Sequence, residues 1–125
     1  MSMAFPMSPR VMSNEQPVDL VHLDSYTGGD RALNEEVLRL FETHCRDMLA
    51  KLEGNPGDSK VWREVAHTLK GAARGIGAFD LANAAADAEK AEPSDTAATL
   101  VALTRIKAKS EAVQRFIEEF LAREG

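Results

Sequence analysis

The stretch Trp62–Gly77, WREVAHTLKGAARGIG, decides the fold. Read as a strand running into a glycine loop, it would open a doubly wound sheet with a phosphate-cradling turn. Read as a helix, it places a histidine on a helical surface. The spacing favours the helix. With His67 set at zero and about 100° per residue, Val61, Trp62, Val65, Leu69, Ala72, Ala73 and Ile76 fall on the opposite half, between roughly 120° and 240°. Within roughly 60° of His67 lie Lys60, Arg63, Glu64, Lys70, Gly71 and Arg74. The apolar residues form one stripe, and the histidine stands at the middle of the other face among four cations.

Working outward, each flanking segment has the same period. VDLVHLDSY predicts a short helix starting near Pro17 or Asp19, and TGGD ends it with Gly28 and Gly29 in the turn. Asp30 is placed to cap a second helix, whose predicted buried stripe is Leu33, Val37, Leu40, Phe41, Cys45, Met48 and Leu52. Gly54–Gly57 ends it, and Asp58 or Ser59 caps the third helix, which should run to about Gly75. FDLANAAADAEKA predicts a shorter, alanine-rich helix ending before Pro93. Ser94 or Asp95 then caps the longest helix, with Ala102, Leu103, Ile106, Val113, Phe116, Ile117 and Phe120 on its buried side. No stretch alternates with a period of two. Short connections between amphipathic helices predict antiparallel neighbours. The expected fold is all-α: an up-down four-helix bundle with a short extra N-terminal helix over residues 17–125. Residues 1–16 are expected to be a flexible tail.

The 125 residues suffice for one domain and are too few for two. The net charge of −5 argues against non-specific nucleic-acid binding. The single cysteine, Cys45, excludes an internal disulfide and a CxxC zinc pair, and reads as a small core residue. No apolar run approaches a membrane span and no secretory h-region is present, so a cytoplasmic protein is expected; a monomer is expected as well. His22, His44 and His67 have no i+4 histidine partner, and no metal site is expected. His44 is placed at the rim of the core, hydrogen-bonded. His22 reads as structural or exposed.

The residues around His67 give it a chemistry. A neutral imidazole is a nucleophile near neutral pH. Lys70 and Gly71, at i+3 and i+4, sit beside it on the helix surface. The lysine would stabilise a phosphoryl dianion on the ring. A glycine inside a helix costs about 0.5–1 kcal/mol relative to alanine, so its presence suggests close approach by another body. Glu64 would either accept a hydrogen bond from the ring or pair with Lys60; the spacing allows both.

At these residues the chain resembles a known family. HxxKGxxxxxG, here His67, Lys70, Gly71 and Gly77, is similar to the signature of histidine-containing phosphotransfer (HPt) domains, and the upstream GGD turn before EEVLRLF strengthens the likeness. The resemblance covers most of the chain. It implies that His67 is phosphorylated on the ring nitrogen farther from the backbone, that Lys70 holds the phosphoryl group and that Gly71 gives clearance. It implies partners that are receiver domains of response regulators or hybrid kinases, with the receiver supplying the aspartate and Mg²⁺. The chain itself would carry no cofactor and no kinase activity. Lys60, Arg63, Glu64 and Arg74 are the expected docking residues, with the cations steering an acidic receiver pocket. Two positions depart from the family pattern. Ala88 stands where a larger apolar residue is common, so packing there is expected to be thin, and Arg74 stands where small polar residues are frequent. The competing reading is a helical module of the same fold that docks such partners without phosphotransfer.

Overall fold

A computed structural model describes residues 16–55 and 57–124. They form five helices: α1 (Leu20–Thr27), α2 (Arg31–Gly54), α3 (Ser59–Gly75), α4 (Phe79–Lys90) and α5 (Thr96–Glu124). No strand occurs among the described residues. The expected tail lies almost wholly outside them; the described chain begins at Gln16.

Four helix starts share one device. The carboxylates of Asp19, Asp30, Asp58 and Asp95 accept from the backbone N–H three residues on, at 3.1, 3.0, 3.2 and 3.0 Å. Each satisfies one of the amides left unpaired at a helix N-terminus and sets a negative charge against the positive end of the helix dipole. The exception is α4, whose N-cap is Ala78, with no side-chain cap. The end of α3 closes instead on its own backbone. Gly77 N–H donates to the Arg74 carbonyl (3.1 Å) and Ala78 N–H to the Ala73 carbonyl (2.8 Å), with Gly77 left-handed at φ 84°. This is the paired hydrogen-bond pattern of a Schellman stop.

Helices α2 to α5 pack as an up-down ring, each against the next and α5 back against α2, while α1 lies on α2. The start of α1 is also tied to the turn after α3, through Asp19 N–H donating to the Gly77 carbonyl at 2.9 Å. Leu38, Leu52, Trp62, Leu69, Leu81, Ile106 and Ile117 are fully buried at the centre. Ala82, Ala84, Ala85 and Ala88 bring α4 close to its neighbours, and Trp62 fills the space their small side chains leave. The Trp62 indole N–H donates to the Ala88 carbonyl at 2.7 Å. The thin packing expected at Ala88 is therefore not found: Ala88 is fully buried beneath a bulky indole.

Two further expectations are corrected in α2. Its buried line is Asn34, Leu38, Phe41, Cys45, Met48 and Leu52, so Leu33 and Leu40 are exposed rather than in the stripe. The reason is polar. Buried Asn34 donates to Asp24 (2.8 Å) and accepts from the Thr27 hydroxyl (2.5 Å), and this bridge to α1 rotates the start of α2 inward on a residue that an apolar count ignores. His44 follows the same rotation. It is exposed, with no side-chain hydrogen bond among the described residues, and does not sit hydrogen-bonded at the core rim. On α5, Ala102, Ile106, Val113, Ile117 and Phe120 are buried as the spacing predicts, with Leu103 and Phe116 packed at the margin. Among the described residues no helix is long and apolar enough to cross a membrane.

Candidate functional site

His67 lies midway along α3 on the face opposite Trp62, Leu69 and Ala73, and its side chain is 66% exposed. The ring is not unattended. Its Nδ1 stands 2.9 Å from a carboxylate oxygen of Glu89 on α4. The other oxygen of that carboxylate accepts from the Lys70 ammonium at 2.7 Å. One carboxylate thus bridges the histidine and the lysine. The Lys70 hydrogen bond lowers the Glu89 pKa from its ordinary value; partial burial opposes this, and the hydrogen bond from His67 adds to it. An ionised carboxylate only accepts, so Nδ1 carries the proton. In the neutral ring Nε2 then holds a free lone pair. It has no protein partner among the described residues.

Glu64 is not the ring's partner. It is exposed and pairs with neither His67 nor Lys60 among the described residues. The ring's acceptor comes instead from a residue 22 positions away in sequence. Lys70 sits lower on the flank of α3 than an exposed position, with 21% of its side chain accessible, because Glu89 draws it across the seam. Gly71, at i+4 from the histidine, borders open space: a Cβ added there would meet nothing within 4 Å. Among the described residues nothing requires that glycine.

Lys60, Arg63 and Arg74 are exposed around the ring as expected. Arg63 makes a loose pair with Glu92 at 3.9 Å, both side chains more than half exposed. Such a pair contributes little. Lys60 and Arg74 have no side-chain partner among the described residues, and Arg74 lies in the last turn of α3, where its charge opposes the helix dipole's negative end. The surface is less cationic than α3 alone suggests. Lys60, Arg63, Lys70 and Arg74 share it with Glu64, Glu89 and Glu92, two of which α4 and its following turn supply.

The residue that the sequence reading missed is Glu89. Any acidic side chain on a polar helix face looks alike in sequence, and the pairing that singles out this one depends on how α4 seats on α3.

Other titratable groups stand apart. Burial pushes the Cys45 thiol up to about 11, which keeps it protonated and inert. The His22 ring packs edgewise against Tyr26 and Phe79, centroids 5.0 Å away in each case. No three His, Cys, Asp or Glu residues cluster as a metal site among the described residues. An open groove of about 500 Å³ between α4 and α5, lined by Ala84, Ala91, Val101 and Ala102, lies on the side of α4 away from Glu89 and contains none of these site residues.

No curated protein and no solved structure gives a match to the chain. A family model described as the Hpt domain matches residues 36–122, from near the start of α2 almost to the end of α5. That span includes His67, Lys70, Gly71 and Glu89, and with the all-helical bundle around them the chain belongs to the Hpt domain family.

Proposed function

We propose that this chain relays a phosphoryl group between receiver-domain aspartates, with His67 as the transient carrier. The family supports a phosphotransfer-related role in two-component signalling. The observation that carries the finer reading is the His67–Glu89 hydrogen bond on an otherwise exposed ring. It leaves Nε2 as the free nucleophile and holds the ring in one tautomer and one orientation.

Transfer then needs little covalent apparatus from this chain. The Nε2 lone pair forms the N–P bond as the P–O bond to the donor aspartate breaks, and the carboxylate leaves with the electron pair. Nε2 has no proton to lose. Nδ1 keeps its proton, and the Glu89 carboxylate stabilises the charge that builds on the ring. Lys70, already beside the ring, screens the incoming phosphoryl dianion. Gly71 leaves room for the partner's active site. The receiver brings its own aspartate and Mg²⁺, and this chain acts as a carrier and not as a kinase. Phosphoryl return to a second receiver is the same step reversed.

Docking has an apolar component beside the charged one. Leu33, Val37 and Leu40 line one shoulder of α2, and Leu33 and Leu40 are exposed. The opposite shoulder of α2 faces α5, where Lys107 pairs with Glu53 at 2.8 Å. By helical spacing the Leu33–Leu40 shoulder is therefore on the α3 side of α2. Lys60, Arg63 and Arg74 would steer the acidic receiver pocket, an effect that weakens with salt.

The test is phosphorylation by a labelled receiver. Wild-type chain should gain acid-labile, base-stable label, and His67→Gln should gain none. Equal labelling of the two would move the acceptor elsewhere. No labelling from a broad receiver panel would favour a docking module without phosphotransfer.

A further inference from the structure

We propose that Trp62 is a positioning residue for His67: its indole N–H grips the peptide unit that carries Glu89, and so sets the register of α4 that presents the carboxylate to the ring. The part of this proposal that concerns transfer rates rests on the relay reading above. The part that concerns the ring does not.

The Ala88 carbonyl lies in the last turn of α4. Its own chain serves it poorly. Ala91 N–H is shared between the Asp87 carbonyl (3.1 Å) and the Ala88 carbonyl (3.2 Å), and at Ala91 the backbone becomes extended. The Trp62 indole supplies the short bond to that oxygen, 2.7 Å, in a fully buried setting. The carbonyl of Ala88 and the nitrogen of Glu89 belong to one planar peptide unit. Holding the oxygen therefore fixes the attachment point of the Glu89 side chain.

Other polar ties reach this end of α4, Arg105 of α5 with Asp87 and Arg63 with Glu92, but both pairs are about half exposed or more, and the first ties α4 to α5 rather than to the helix that carries His67. The buried face of α4 is Leu81, Ala82, Ala84, Ala85 and Ala88, mostly small side chains, and its far end has no side-chain N-cap. Methyl groups set how closely two helices approach, but they resist sliding weakly. A directional bond resists it strongly. A slip of one residue moves a helix by about 1.5 Å, enough to break the 2.9 Å contact between Glu89 and His67. Trp62 and His67 stand on the same helix, so clamp and ring share one rigid frame.

The test is Trp62→Phe, which keeps an aromatic filler and removes the donor. The readouts are the ¹⁵N resonances of the His67 ring, which report tautomer and protonation, and the rate of transfer from a phosphorylated receiver. The expected result is unchanged helical circular dichroism, ring resonances displaced toward those of Glu89→Gln, and transfer slowed about threefold to tenfold. In a Glu89→Gln background, adding Trp62→Phe should alter the rate by less than about twofold, because the two act through one contact. Wild-type ring resonances in Trp62→Phe, or an equal rate loss with and without Glu89, would leave Trp62 a packing residue only and overturn the proposal. If Trp62→Phe does not fold, 3-benzothienylalanine in place of Trp62 keeps the bicyclic shape without the N–H and is read in the same way. Ring resonances that move in a chain that no receiver labels would support the positioning and defeat the relay.

Discussion

A methyl group added at Gly71 would meet nothing within 4 Å, whereas one added at Gly77 would lie 2.6 Å from the Asp19 carbonyl oxygen. Both glycines belong to the same short motif, yet the constraints on them come from opposite directions. Gly77 serves the fold. Its left-handed backbone, at φ 84°, ends α3 and lets the start of α1 lie directly against the turn. Gly71 sits inside α3, where glycine weakens the helix and no neighbour among the described residues demands it. In the proposed relay its use is to the docking partner. The comparison separates what a motif does for its own domain from what it does for a visitor, and it does so beside an exposed imidazole.

The largest effect on stability should come from Gly77→Ala. Left-handed backbone and a clash with a backbone oxygen together should lower the unfolding free energy by about 2–3 kcal/mol in denaturant titration. The remaining folded molecules should transfer phosphoryl groups at the wild-type rate. Gly71 should behave in the opposite manner. Gly71→Leu is expected to fold normally and slow receiver-dependent labelling of His67 by at least about tenfold, because the added side chain occupies the approach. Gly71→Ala should raise stability by about 0.5–1 kcal/mol. A loss of stability in either Gly71 variant would erase the distinction between the two glycines.

Lys70→Ala sharpens the outward half of the comparison. Transfer should slow about tenfold while stability changes by no more than about 1 kcal/mol, since the pair with Glu89 is partly solvated. Unfolding of this variant would make Lys70 a structural residue instead.

The smallest effect is a pH dependence. Lys70 chiefly holds the Glu89 carboxyl below its ordinary value of 4.5 in the folded chain. The depressed folded pKa means that the unfolded chain binds this proton first as pH falls. The resulting stability is fully present above the unfolded pKa and is lost as pH drops through the folded one. Acid unfolding of wild type and Glu89→Gln should therefore converge below the ordinary carboxylate range. A difference that grows toward low pH would contradict the assignment.

Much of this molecule is legible locally. Asp19, Asp30, Asp58 and Asp95 announce helix starts because a capping carboxylate acts over three residues. The turn of α3 at Gly77 and the apolar face of α3 follow from spacing within one helix. Helix α2 is less legible, because a buried Asn34 decides its rotation and a hydrophobic pattern cannot see it. The spacing of α3 alone also overstates the positive charge around His67, because Glu89 and Glu92, which pair with its cations, come from α4 and the turn after it.

The amino-acid sequence by itself determined the helices, most of their ends, and the outward placement of His67 and Gly71, because each depends on residues no more than a turn or so away. Only the tertiary structure decided that Glu89 holds both the imidazole and the lysine, and that Trp62 grips the Ala88 carbonyl. Those contacts depend on the axial register of two helices, and register is set by how whole faces pack and by a few directional bonds between them, not by any pattern that repeats along one chain segment.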